Sequence, residues 1–145
     1  MNKVKQLLNS SDFWLQTAFL VSTAAVLGSL FLSQAMNLLP CELCWWQRVF
    51  MFPLPIILGV ALWRKDFSVY YYGLPLVVIG LLIAAYHYSI QMIPQVADTC
   101  GASALSCIER QIDILGFITI PLGSLLAFLV VGFCLVMLKK TATRA

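Results

Sequence analysis

Charge is what this sequence most lacks. Only 10% of its 145 residues are Asp, Glu, Lys or Arg, against 61% apolar, whereas a soluble domain carries about a quarter charged residues. That scarcity excludes an ordinary water-soluble domain and leaves the bilayer as the solvent. A basic stripe with interleaved aromatics is missing outside the apolar runs, so the net charge of +3 is no nucleic-acid footprint. No glycine-rich nucleotide motif, haem-attachment motif or regular set of metal ligands occurs. The βαβ patterning that a thioredoxin-like domain needs is absent as well, and there is no internal repeat.

What remains is long apolar runs. Crossing a hydrocarbon core as helix takes roughly 20 apolar residues, and four stretches suffice: about 13–36, 46–63, 67–88 and 114–138. The sequence therefore predicts a single all-α domain over 1–145, a four-helix transmembrane bundle. Basic residues stay on cytoplasmic flanks. Lys3, Lys5, Arg64, Lys65, Lys139, Lys140 and Arg144, seven of the nine, fall on one side. Both termini are thus expected in the cytoplasm, with the loop around Cys41 and the loop 89–113 outside. An alternative reading makes the first run a cleaved signal peptide ending at Ser33-Gln34-Ala35, although the run exceeds the usual length of about 7 to 15 residues.

The five cysteines are Cys41, Cys44, Cys100, Cys107 and Cys134. The first four land on the expected external side, where disulfides persist, as one pair per loop. Cys134 lies inside the last run, where a thiol behaves as a small hydrophobe. The Cys41-x-x-Cys44 spacing closes a very small ring, and a helix starting there favours thiolate at Cys44. Between Cys100 and Cys107 lie six small or flexible residues, a loop able to present a disulfide to an incoming thiol. A structural zinc on all four cysteines is the rival reading, but the spacing is irregular and an external site competes with oxidation. Inert staples on a membrane scaffold are another.

The neighbours favour chemistry. With a helix starting near Cys44, Arg48 stands one turn on and on the same face, a cation beside a thiol and a donor for a third molecule. Trp45, Trp46 and Phe50 add flat apolar surface at interfacial depth. Together they fit an aromatic, lipid-soluble ligand bearing a carbonyl, although two tryptophans can equally anchor a helix while an arginine snorkels. His87 is an ionisable group near the external end of the third run, functional by default or simply packed by a hydrogen bond. Pro53, Pro55, Pro75 and Pro121 are expected to interrupt spans. Gly80 and Ala84 stand at a small-xxx-small spacing for close helix contact. A disulfide that oxidises other thiols needs an electron acceptor, and a membrane quinone requires none of the missing motifs.

The motif CELCWWQR within 38–55, the second cysteine pair, and CIERQIDILGFITIPL over 107–122 resemble the DsbB family of quinone-dependent disulfide bond formation proteins, in its short BdbC-like branch. The likeness spans nearly the whole chain. It implies a bacterial cell-membrane bundle that reoxidises an extracytoplasmic thioredoxin-like thiol oxidase and passes the electrons to ubiquinone or menaquinone. By resemblance, Cys100 and Cys107 meet the partner, Cys41 and Cys44 meet the quinone, and Arg48 is the quinone-side arginine; Trp45, Trp46 and His87, read from the residues themselves, are further candidates for the quinone site. The implied relay has the partner's thiolate attack Cys100; the released Cys107 then attacks Cys41, and Cys44 faces the quinone. No metal is expected. The second loop is shorter than in the longer members. Two alternatives stay open: a non-catalytic scaffold with structural disulfides, and a quinone reductase similar to vitamin K epoxide reductase, with electrons flowing the other way.

Overall fold

The computed structural model describes residues 11–35, 41–92 and 120–144. Among the described residues five helices follow in order: α1 (Ser11–Gln34), α2 (Glu42–Met51), α3 (Pro53–Arg64), α4 (Tyr70–Met92) and α5 (Ile120–Arg144), with a 3-10 turn at Phe67–Val69 before α4. Among the described residues there is no strand. Helices α2 and α3 form one apolar rod, so four rods are long and apolar enough to cross a membrane. The fold is a four-helix membrane bundle.

Proline explains the seam between α2 and α3. Phe52 keeps helical dihedrals (φ −65°, ψ −36°) and donates its N–H to Arg48 O at 2.9 Å, but Pro53 and Pro55 withdraw the next amides that would bond the Val49 and Met51 carbonyls. The ladder is interrupted while the path continues. Pro75 sits inside α4 without ending it.

Two span boundaries differ from expectation. The second rod begins at Glu42 rather than near residue 46, because Cys41, with extended dihedrals (φ −71°, ψ 171°), takes the N-cap position. The last helix runs on to Arg144, past the expected end at Leu138. Lys139 reaches over the Tyr70 ring at 6.0 Å, and Thr141 back-bonds to the Met137 carbonyl, so amphipathic side chains carry the helix into the interface. Residues 114–119, where that span was expected to start, lie outside the described residues.

The main packing is ring-like: α5 packs on α1 and α4, α1 on α3, and α2 on α4, with a lighter contact of α2 on α5. The hairpin between α3 and α4 is tight. Lys65 adopts the left-handed region (φ 56°), Asp66 N–H closes onto Ala61 O, and the Asp66 carboxylate accepts from Ser68 N–H at 2.9 Å. Leu15, Leu54, Leu58, Phe128 and Leu135 fill the centre, fully buried. Lipid is as apolar as they are, so these contacts stabilise through close packing rather than release of water. Gly80 allows that closeness: a Cβ there would fall on the Phe128 ring. Outward-facing Leu20, Ile56, Leu82 and Phe133 are exposed, as lipid-facing residues must be. Hydroxyls on the spans are internally satisfied, Thr17 on Phe13 O and Thr23 on Phe19 O, as a medium without water requires.

Candidate functional site

The first turn of α2 carries both cysteines of the first pair, Cys41 as N-cap and Cys44 as the third helical residue. The Cys41 thiol donates to Cys44 Sγ across 3.1 Å, a dithiol within reach of forming a disulfide. Both sulfurs sit at the end of the helix where unsatisfied amides concentrate positive charge, which favours thiolate.

Three helices converge on that turn. From α4, His87, only 1% exposed, brings Nε2 to 3.7 Å from Cys41 Sγ. Its Nδ1 is 2.9 Å from Gln47 Nε2, and the Gln47 carbonyl oxygen accepts from Ser124 Oγ of α5 at 2.5 Å. With Gln47 donating, the imidazole proton sits on Nε2 and faces the sulfur. A hydrogen-bonded chain thus runs Ser124 to Gln47 to His87 to Cys41, each group donating to the next. From α1, Ser29 holds the guanidinium of Arg48: Nε donates to Ser29 Oγ at 2.9 Å and one terminal nitrogen donates to Ser29 O at 3.1 Å. The guanidinium also lies over the Trp45 ring, 5.5 Å from its centroid.

Cys44 and Arg48 open onto a cavity of about 270 Å³ between α1, α2 and α5, whose walls include Ser29, Gln47, Met51 and Phe128. Its lining is mostly apolar, with polar groups gathered near the cysteine. The bonds to Ser29 occupy two of the five guanidinium donors, and the remainder can serve a ligand.

The structure therefore joins Cys41, Cys44, Arg48 and His87 at one end of the bundle. Trp45 reaches the site through Arg48, whereas Trp46 is half exposed and does not line the cavity. Cys134 is buried in the apolar core beside Val131 and Leu135. Cys100 and Cys107 lie outside the described residues. Gln47, Ser29 and Ser124 belong to the site although sequence reasoning passed over them. Gln47 carried a signal, a long polar side chain one turn from Cys44 inside an apolar span; a serine in such a span carries none.

A family model described as "Disulfide bond formation protein DsbB" matches residues 11–138. The chain belongs to the DsbB family. It is 44% identical over 128 residues to a probable disulfide formation protein of Coxiella burnetii (strain Dugway 5J108-111), covering 87% of each chain. It is 42% identical over 114 residues to probable disulfide formation protein C 2 of Bacillus cereus, covering 79% of this chain and 82% of that one. A prophage-derived disulfide bond formation protein B of Bacillus subtilis is 41% identical over 124 residues, 85% and 84% of the two chains. No solved structure matches. Family membership and four apolar rods make this a multi-pass disulfide-forming membrane protein, an oxidoreductase of thiols.

Proposed function

We propose that the protein reoxidises a thioredoxin-like thiol oxidase on the extracytoplasmic face of a bacterial cell membrane and delivers the electrons to a membrane quinone. The observation that carries the reading is the shared wall: Cys44 and Arg48 open onto one apolar cavity. A quinone, when bound, supplies a two-electron acceptor with carbonyl oxygens. The residues present fit such a group. Met51 and Phe128 offer apolar surface, and the Arg48 fork offers charge-assisted donors.

The chain's own residues divide the work. Ser29 and the Trp45 ring hold the guanidinium in place before any ligand arrives. Helix α2 stabilises negative charge on Cys44 through its N-terminal amides. His87, oriented by Gln47, presents a ring N–H to Cys41, the sulfur that Cys107 attacks in the relay as Cys44 leaves as thiolate. The Cys100–Cys107 pair is assigned to the incoming partner, and the seven flanking basic residues support an extracytoplasmic cysteine end.

The test is purified protein mixed with a reduced thioredoxin-like oxidase and either ubiquinone or menaquinone, followed by quinone absorbance. Loss of the oxidised-quinone band, with a disulfide gained in the partner, supports the reading. Oxidation of partner thiols without quinone consumption contradicts it, and net reduction of partner disulfides by quinol would favour the reductase alternative.

A further inference from the structure

Cys41, Cys44 and His87 form a constellation that disulfide exchange does not use up. Each offers one ligand atom, and the three atoms lie within 4.8 Å of one another, the imidazole fully buried and the sulfurs half-buried. We propose that the reduced pair and His87 Nε2 together bind one borderline-soft divalent cation of the zinc type, and that occupancy locks the protein in its dithiol state.

Distances fit the ion. Tetrahedral zinc, with bonds of about 2.3 Å to sulfur and 2.0–2.1 Å to nitrogen, needs its ligand atoms roughly 3.6–3.8 Å apart. Cys41 Sγ and His87 Nε2 already stand 3.7 Å apart. The two sulfurs, at 3.1 Å, need to open by about 0.7 Å to reach the sulfur–sulfur spacing of about 3.8 Å, and all three ligand atoms lie within 4.8 Å of one another, so side-chain rotations on the first turn of a helix bring them to the ion.

The surroundings fit as well. A ligating imidazole gives up its metal-facing proton and is held through the other nitrogen by an outer hydrogen bond. Gln47 already sits on Nδ1. Turning its amide by half a revolution presents the carbonyl oxygen to an Nδ1–H and the amide N–H to Ser124 Oγ, which donates in turn to Pro121 O at 2.9 Å. The same chain then runs in reverse with no hydrogen bond lost. One residue thus supports both imidazole tautomers, thiolate-facing and metal-binding.

Binding displaces one proton from each thiol to solvent, and no electron moves. Three protein ligands leave the fourth tetrahedral position to water or another small ligand. A disulfide offers no thiolate, so the site exists only after reduction, and while the sulfur lone pairs are held by the ion they cannot form the S–S bond. The inference goes beyond the quinone reading and needs only that the pair be reduced.

Cobalt(II) is the probe, because thiolate coordination gives a charge-transfer absorption and a tetrahedral site gives intense visible bands. The protein is prepared with Cys100→Ser and Cys107→Ser, reduced, freed of reductant and titrated anaerobically with Co²⁺ alone, without quinone or partner. Expected are bands saturating at one cobalt per chain, bleached by Zn²⁺, absent from the oxidised protein and unchanged by Cys134→Ala. Gln47→Leu should weaken binding about 10- to 100-fold, as loss of an outer-shell partner does, and His87→Ala at least as much. Zinc-loaded protein should resist a chemical thiol oxidant such as diamide until a chelator is added. Reduced protein without bands, bands that survive oxidation, or cobalt affinity unaltered by His87→Ala each overturn the site. Diamide oxidation of zinc-loaded protein at the unloaded rate overturns the lock. The reduced-against-oxidised comparison needs no further variant, so misfolding of a His87 substitution cannot shield the proposal.

Discussion

The two ends of the bundle handle polar groups in opposite ways. At the cysteine end, Ser124, Gln47 and His87 are wired in one direction toward Cys41, and Arg48 is fixed by Ser29 beside a cavity. At the far end, Lys65 pairs with Asp12 at 2.8 Å with both side chains well exposed, and Ser11 meets Thr141 at 3.2 Å. An exposed ion pair contributes about 0–1 kcal/mol and is screened by salt. A buried polar chain is costly unless every member is satisfied, so its presence needs a return other than stability. One end joins helix termini at the surface; the other sets a cysteine pair beside a cavity.

That contrast is most severely tested by the sulfurs themselves. Cys44→Ser should abolish disulfide formation. Cys134→Ala, which replaces a thiol buried in the apolar core, should leave turnover intact and cost on the order of 1 kcal/mol of stability. Turnover assays and thermal unfolding of both variants decide; persistent activity in Cys44→Ser would remove the cysteine end from the chemistry.

Next in size is Arg48. Losing a charge-assisted hydrogen bond costs on the order of 1.5–3 kcal/mol, so Arg48→Ala should weaken the quinone dependence of turnover roughly ten- to hundredfold. Arg48→Lys keeps the charge but loses the planar fork, and should fall between. Exchange between the reduced partner and pre-oxidised cysteines should be spared in both. An unchanged quinone dependence in Arg48→Ala would reduce this residue to an interfacial anchor.

A smaller effect is expected from filling the cavity. Gly28 lines it, and a Cβ at that position meets nothing within 4 Å. Gly28→Leu should therefore raise the quinone concentration needed for half-maximal turnover while the protein folds normally. An unaltered quinone requirement would show that the ligand sits elsewhere. The smallest effect belongs to the far end: Lys65→Ala should change stability by no more than about 1 kcal/mol and leave turnover untouched.

Apolar run length and loop chemistry made the four rods legible, because a bilayer permits few alternatives to a helix once about 20 apolar residues follow one another. That Arg48 and Cys44 share a face was legible from helical spacing: i and i+4 stack, and both line the cavity. The start of α2 was misplaced by a few residues because apolar content does not reveal an N-cap, and Cys41 shows itself as one only through its dihedrals. Ser29 and Ser124 were invisible, since their roles come from contacts between α1, α2 and α5 that no local pattern encodes. His87 read more as a packed, hydrogen-bonded residue than as a functional one, and the nearness of its nitrogens to Gln47 and Cys41 comes from the contact of α2 with α4.

The central claim is that the Cys41–Cys44 pair hands its electrons to a quinone in the adjoining cavity. Its most direct measurement is a single turnover: protein with Cys100→Ser and Cys107→Ser, reduced and freed of excess reductant, is mixed with quinone, and thiols and quinol are counted. The account predicts one Cys41–Cys44 disulfide formed for each quinol produced, slowed by Arg48→Ala. Thiols that stay reduced in the presence of excess quinone would contradict it.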